Sequence, residues 1–321
     1  MQAILPAGQF DYGDDMEPVF ENRLSRNTVR NVSMKTGLIM EGGAMRGMFT
    51  CGVIDVFMEE NIAFDGAAGI SAGAVFGCNY KSRQIGRPLR YNKNYCRDPR
   101  YCSIRSLLKT GDLYGVEFCY HELPDRLDVF DREAFRENPM EFYVGATDVE
   151  TGKEVFHRCT DGGETDIEWM RASSSMPVVS RPVKIGKYTL LDGGIACPVP
   201  FRFMEAKGYD RNVIILTQPE GYQKQPSHPA IQAMLRRYPA IARGMAGRHI
   251  VYNRQLEQIR ERERAGCALV IRPPEDLKIG RTEKNPDELE RVYQIGRRAA
   301  LDRLDKVREF LAGKSIDWKT C

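Results

Sequence analysis

Ser71 lies in Gly69-Ile70-Ser71-Ala72-Gly73, a G-x-S-x-G pattern with an apolar run before it and small residues after it. A serine on a tight strand-to-helix turn projects its hydroxyl from the sheet, and flanking glycines let neighbouring backbone pass without a side-chain clash. The chemistry this suits is nucleophilic attack on a carbonyl. A helix starting at the serine also aims free amides at developing negative charge. A plain helix N-cap explains Ser71 equally well, but not two glycines at fixed offsets from it.

A second glycine cluster, Glu41-Gly42-Gly43-Ala44-Met45-Arg46-Gly47, follows the apolar run Gly37–Met40. Such a loop exposes backbone N–H groups to an anion. A dinucleotide wants G-x-G-x-x-G, and Ala44 breaks that register. A nucleoside triphosphate wants G-x-x-x-x-G-K-[ST]; Gly42 and Gly47 have the spacing, but Met48-Phe49 replace the lysine and the hydroxyl. A transient oxyanion needs only two or three fixed donors, so an oxyanion loop over 42–47 is the reading consistent with Ser71. Arg46 either fixes that loop or holds an anionic head group.

A neutral serine needs a base. The four histidines, His121, His157, His228 and His249, stand in no glycine-rich or strand-end setting and read as structural or exposed. Asp192 ends the apolar run Tyr188–Leu191 and precedes Gly193-Gly194, which places a carboxylate at a strand end, where α/β sites form. A second Asp-Gly-Gly at 161–163 has no strand leading into it and reads as a surface turn. An ordinary aspartate, with a pKa near 3.9, is a weak base, but it can take the serine proton in concert with attack when burial and geometry favour transfer.

The elements needed to hold these residues follow the rhythm of an α/β sheet. Strands are expected at 37–40, 63–70, 141–147, 154–158, 188–191, 212–217 and 267–272. Helices are expected over 48–58 and from Ser71 to about Lys81. Residues 228–265 read as helical with interruptions at Pro239 and Gly244, and Asn285-Pro286 caps a last helix to about Leu311 that docks on its own domain. Residues 1–34 read as an irregular arm.

The three motifs in this order resemble the patatin-like phospholipase family, as does Arg171–Pro177 leading through Gly186-Lys187-Tyr188 to Asp192. The resemblance covers roughly residues 35–220. It implies a three-layer α/β/α fold with a mainly parallel central sheet, and hydrolysis of lipid acyl esters without metal or other cofactor. Ser71 then matches the nucleophile, Asp192 the proton acceptor, and Gly42, Gly43 and the following backbone the oxyanion loop. Ala44 departs from the family's third glycine; its methyl is tolerable if φ is negative. Residues 221–321 resemble the mostly helical C-terminal extension of bacterial patatin-like proteins and are expected to pack on the catalytic domain.

With 42% hydrophobic and 28% charged residues the chain is expected to form a packed core, and a net charge of +3 gives no reason to invoke nucleic acid. Nine scattered cysteines without a CxxC pair read as free thiols of a reducing, cytoplasmic setting. The start has no secretory signature, and no run approaches the roughly 18 apolar residues of a membrane span. Between Lys81 and Lys109 nine basic residues meet one acidic residue, Asp98, with Tyr91, Tyr95 and Tyr101 interleaved. This part of an 81–140 insertion reads either as a cap drawn to an anionic lipid surface or as a solvated loop. The leading function is a lipid acyl hydrolase. An acyltransferase, a lipid-binding protein without turnover and a nucleotide-binding protein are the alternatives; oligomeric state is not encoded in any motif.

Overall fold

The computed structural model describes residues 34–313, so the expected arm over 1–34 lies outside the described residues apart from Met34. The chain runs β1 (Lys35–Met40), α1 (Gly47–Glu59), β2 (Gly66–Ile70), α2 (Ala72–Lys81), α3 (Arg87–Tyr95), α4 (Ile104–Thr110), a π-helical turn (Phe118–Leu127) and α5 (Arg132–Glu137). It continues through β3 (Glu141–Asp148), β4 (Glu154–Cys159), α6 (Glu164–Ser174), β5 (Val183–Ile185), β6 (Tyr188–Asp192), α7 (Phe201–Ala206) and β7 (Tyr209–Ile215). The last elements are α8 (Pro229–Met234), α9 (Pro239–Arg264), β8 (Ala268–Ile271), α10 (Pro286–Leu301) and α11 (Leu304–Leu311).

The sheet has eight strands in the order β5-β6-β3-β2-β1-β7-β8, with β4 also on β3. The pairs from β3 to β8 along this path are parallel; β4, β5 and β6 join antiparallel. Strand alternation sends Leu38, Met40, Ala67, Val213, Ile215, Leu269 and Ile271 to one core. Ile39, Ala68, Ile214, Ala268 and Val270 go to the other. The first core includes α1, α2, α6, α10 and α11; the second is covered by α7 and α9. These are the three layers of an α/β/α fold.

Several boundaries differ from the sequence reading. Strand β2 starts at Gly66 rather than Ala63, because the Asp65 carboxylate turns back to accept from the Thr36 amide (2.7 Å). Pro239 opens α9 at its first turn, where a missing N–H costs nothing, and Gly244 stays inside the helix. The last helix breaks at Asp302-Arg303 into α10 and α11. Helix α10 lies so close on α1 that a Cβ at Gly52 would overlap the Tyr293 carbonyl, and one at Gly296 the Phe49 carbonyl. Asp55 of α1 accepts from Tyr293 Oη at 2.7 Å across the same contact.

Strand β3 sets the geometry of the site. On one edge it carries β4 from Phe142 to Thr147. The other edge is divided: β2 pairs as far as Ile70 opposite Gly145, and β6 takes over with Asp192 opposite Ala146. Two strands running in opposite directions therefore end face to face on consecutive residues of a third, which brings the residue after Ile70 to Asp192.

Candidate active site

Ser71 has φ 54° and ψ −120°, a region that a non-glycine residue enters only when its surroundings impose it. The imposing contacts are visible. A Cβ on Gly69 would overlap the Gly73 carbonyl, and one on Gly73 the Met40 carbonyl, so both glycines are required by close backbone approach. The Ser71 amide donates to Ser173 Oγ (2.8 Å), whose own hydroxyl donates to the Gly145 carbonyl (2.6 Å). Sequence reasoning missed Ser173; its only signal is membership of the Arg171–Pro177 run. Ser71 Oγ donates to Asp192 Oδ2 at 2.7 Å.

Asp192 is 5% exposed. Its Oδ1 accepts from the Gly194 amide (2.8 Å), and its carbonyl accepts from Thr147 Oγ1 (2.9 Å). A Cβ on Gly193 would overlap the Gly145 carbonyl, so the turn lies directly on β3. Burial raises the carboxyl pKa above the usual range, against the opposing pull of Arg248, the Ser71 hydroxyl, the Gly194 amide and Arg281.

The glycine loop is anchored by Glu41, which is buried and accepts from Tyr252 Oη (2.6 Å), the Thr217 amide (2.6 Å) and Thr217 Oγ1 (3.1 Å). Gly42 lies against the nucleophile turn: a Cβ there would be 2.9 Å from the Ile70 carbonyl and 3.0 Å from Ser71 Cβ. Ala44 has φ +49°, which corrects the expectation of a negative φ. The loop demands left-handed backbone at this position, and alanine occupies it at a steric cost of about 1–2 kcal/mol. Among the described residues the amides of Gly42, Gly43 and Ala44 have no protein acceptor. Met45 is buried, Arg46 Nε donates to Thr217 Oγ1 at 3.4 Å, and Gly47 starts α1 against the Phe76 ring.

From Ser71 an apolar pocket of about 1090 Å³, counted with its open mouth, extends between α2, α3, the π-helical turn and α6. Val75, Phe76, Tyr91, Leu123, Phe130 and Met170 line it. No histidine hydrogen-bonds Ser71 among the described residues. His157 stacks on Trp169 and bonds Asp166 (2.7 Å), and His228 caps α8. His157, Cys159 and Asp166 present ligand atoms within 4.8 Å of one another. The Asp166 carboxylate is already committed, however, to His157 and to the amides of Thr160, Asp161 and Gly162. The second Asp-Gly-Gly is thus the turn that wraps this carboxylate.

Most of the basic charge after Lys81 is consumed internally. Arg87 and Arg90 pair with Asp128, Lys93 with Glu290, and Arg100 with Asp98 and Glu122, while Lys81 donates to the carbonyls of Asn138 and Met140. Arg105 and Lys109 remain exposed on α4, beside Ile104 (72% exposed) and Leu108 (84%).

Residues 38–204, just over half of the chain, match the family model described as patatin-like phospholipase. The chain belongs to the patatin-like phospholipase family. Residues 238–312 match a second model, a domain of unknown function, DUF6363. Uncharacterized protein YjjU of Escherichia coli K12 is 29% identical over 58% of this chain and 52% of its own length. An uncharacterized NTE family protein of Mycobacterium tuberculosis is 26% identical over 52% of this chain and 28% of that protein. Lysophospholipase nte1 of Aspergillus oryzae is 24% identical over 90% of this chain and 19% of that protein. The chain thus spans about half the length of the first of these relatives and less of the others. Among the described residues no helix is long and apolar enough to cross a membrane.

Proposed function

We propose that the protein is a serine-dependent lipid acyl hydrolase of phospholipase A, lysophospholipase or carboxylesterase type. The observation that carries this reading is the 2.7 Å hydrogen bond from Ser71 Oγ to a buried Asp192, made at the end of an apolar pocket. Ser71 Oγ attacks the acyl carbonyl as its proton passes to Asp192 Oδ2. The tetrahedral oxyanion is held by the amides of Gly42, Gly43 and Ala44. Collapse expels the alcohol, which takes the proton from Asp192. Water then attacks the acyl-enzyme, gives its proton to Asp192, and the fatty acid leaves as that proton returns to Ser71. The chemistry calls on no metal. An alcohol in place of water would make the same acyl-enzyme a transferase. The strained elbow and the buried base argue against a protein that merely binds lipid.

The exposed Ile104 and Leu108, flanked by Arg105 and Lys109, support peripheral membrane contact through α4. All eight described cysteines are free, which supports a reducing, cytoplasmic setting.

The test is hydrolysis of p-nitrophenyl butyrate by wild type, Ser71→Ala and Asp192→Asn, with folding followed by circular dichroism. Loss of about 10³-fold or more in both folded variants is expected. Full turnover in Ser71→Ala would sink the reading. Addition of glycerol during turnover would reveal transfer as an acylglycerol product.

A further inference from the structure

Four cationic side chains gather at the rim of the candidate site, outside the lining of the acyl pocket. Arg46 lies on the glycine loop, held by a long bond to Thr217. Arg248, on α9, lies over the Asp-Gly-Gly turn: its Nε donates to the Gly194 carbonyl (2.5 Å), and a Cβ on Gly194 would be 2.9 Å from its Nη2 and 3.0 Å from Asp192 Oδ1. Lys224 holds Nζ 5.0 Å above the ring of Tyr252, the residue whose hydroxyl bonds Glu41, and its main chain is fixed at both polar atoms by Asn253. Arg281 is exposed; its carbonyl accepts from the hydroxyl of Tyr114, a pocket-lining residue.

Among the described residues none of the four forms an ion pair. The carboxylates within their electrostatic reach are Glu41 and Asp192, and both are engaged by neutral donors. Burial and the charges of Arg248, Arg46 and Arg281 press the Lys224 ammonium down to about 8, with Glu41 alone opposing, so these cations repel one another across a shared space. Cations packed together in excess of their counterions favour an incoming anion. They reach that space from separate stretches of chain, which suits a tetrahedral phosphate whose oxygens point several ways. A single carboxylate would be satisfied by one guanidinium.

We propose that Arg46, Lys224, Arg248 and Arg281 form a phosphate site that holds the head group of the ester cleaved at Ser71. The proposal rests on the hydrolase reading above and deepens it: the substrate class becomes phosphate-bearing acyl esters. It also gives residues 238–312 a task, since Arg248 and Arg281 come from that segment and Lys224 lies just before it.

The experiment compares monoacylglycerol with its 3-phosphate, matched in acyl chain, for wild type, Lys224→Met, Arg281→Ala and the double variant. Wild type should favour the phosphate ester by about tenfold or more in kcat/KM, carried by KM, and that ratio should fall towards one in the double variant. In a separate arm, glycerol 3-phosphate and inorganic phosphate are titrated against Ser71→Ala by thermal shift and calorimetry. Glycerol 3-phosphate should stabilise it, less so once Lys224→Met and Arg281→Ala are added. Equal losses on both esters would overturn the proposal, because the cations would then serve the dyad and not the head group. A ratio near one in wild type would overturn it too. So would stabilisation by inorganic phosphate with no preference for the phosphate ester, which would make the anion a free effector. If wild type cleaves neither ester while glycerol 3-phosphate still binds Ser71→Ala through these cations, the hydrolase reading fails and the phosphate site stands.

Discussion

Ser71 Oγ donates to Asp192 Oδ2 at 2.7 Å although 121 residues separate the two in sequence. The contact follows from register: β2 and β6 end on Gly145 and Ala146 of the same edge of β3. Neither residue needs a long or mobile side chain to reach the other, so the pair is set before substrate arrives.

Burial holds the Asp192 carboxyl above the usual range, and Arg248 is the strongest opposing charge named for it. A base must be ionised to work, so hydrolysis should rise with pH through an acidic limb placed above an ordinary aspartate. Arg248→Met removes the opposing charge and should move that limb to higher pH. A kcat/KM–pH profile on a neutral ester checks this; an unmoved or lowered limb would remove Asp192 as the titrating base.

Ser173 touches no reacting atom, yet it receives the Ser71 amide and passes a hydrogen bond to Gly145. Ser173→Ala should leave that buried amide without an acceptor and cost about 1–3 kcal/mol of stability. As a positioning residue it should lower kcat by about 10- to 100-fold while KM moves little. Ser173→Thr, which restores the hydroxyl, should recover part of kcat. A variant with lost stability and normal kcat would reduce Ser173 to a structural role.

Ala44 sits at φ +49° where its methyl opposes the backbone. Ala44→Gly relieves about 1–2 kcal/mol of strain, less the roughly 0.4–1 kcal/mol that glycine adds to the freedom of the unfolded chain. The expected result is a small gain in stability by denaturant titration. A clear loss would mean that contacts of the methyl outweigh the strain.

Asp55 is buried between α1 and α10, and burial lifts its carboxyl to about 6 from 3.8. Below about 4 it is protonated in both folded and unfolded chains. Between about 4 and 6 the unfolded chain releases the proton and the folded one keeps it, so this group's contribution to stability falls as pH rises through that window. The loss totals about 3 kcal/mol and is complete above the folded value. Asp55→Asn does not titrate, so wild type should lose stability relative to it between pH 4 and 7. A constant difference across that range would contradict the assignment.

What could be read from the sequence is what is written in short contiguous runs. A strand, a glycine turn and a helix start announce Ser71 and the 41–47 loop, and a strand followed by two glycines announces Asp192. The unread features are settled at a distance. Ser173 meets Ser71 across 102 residues, and nothing local marks it. The sign of φ at Ala44 depends on a loop pressed between Ser71 and Thr217, where residue type alone suggested the ordinary region. The run after Lys81 looks like bare positive charge because Asp128 and Glu290, which neutralise much of it, lie far along the chain. Gly244 and Pro239 looked like breaks, yet α9 spans Pro239–Arg264 with Tyr252, Leu256 and Ile259 buried along it. Packing against the sheet outweighs the roughly 1 kcal/mol penalty of one glycine.

That same helix, together with β8, has a consequence for how such chains can be cut and joined. The patatin-like match ends at residue 204, but β8 covers the outer edge of β7, and α9 covers Ile39, Ala68 and Ile214 on the second face. A chain shortened to the matched segment would carry an oily plane and, even with β7 retained, a row of unpaired amides and carbonyls. The boundary between the two sequence families is therefore a seam in inheritance but not in the solid: the shorter piece would be insoluble cargo rather than a portable catalyst, and a graft onto another protein would have to carry both halves.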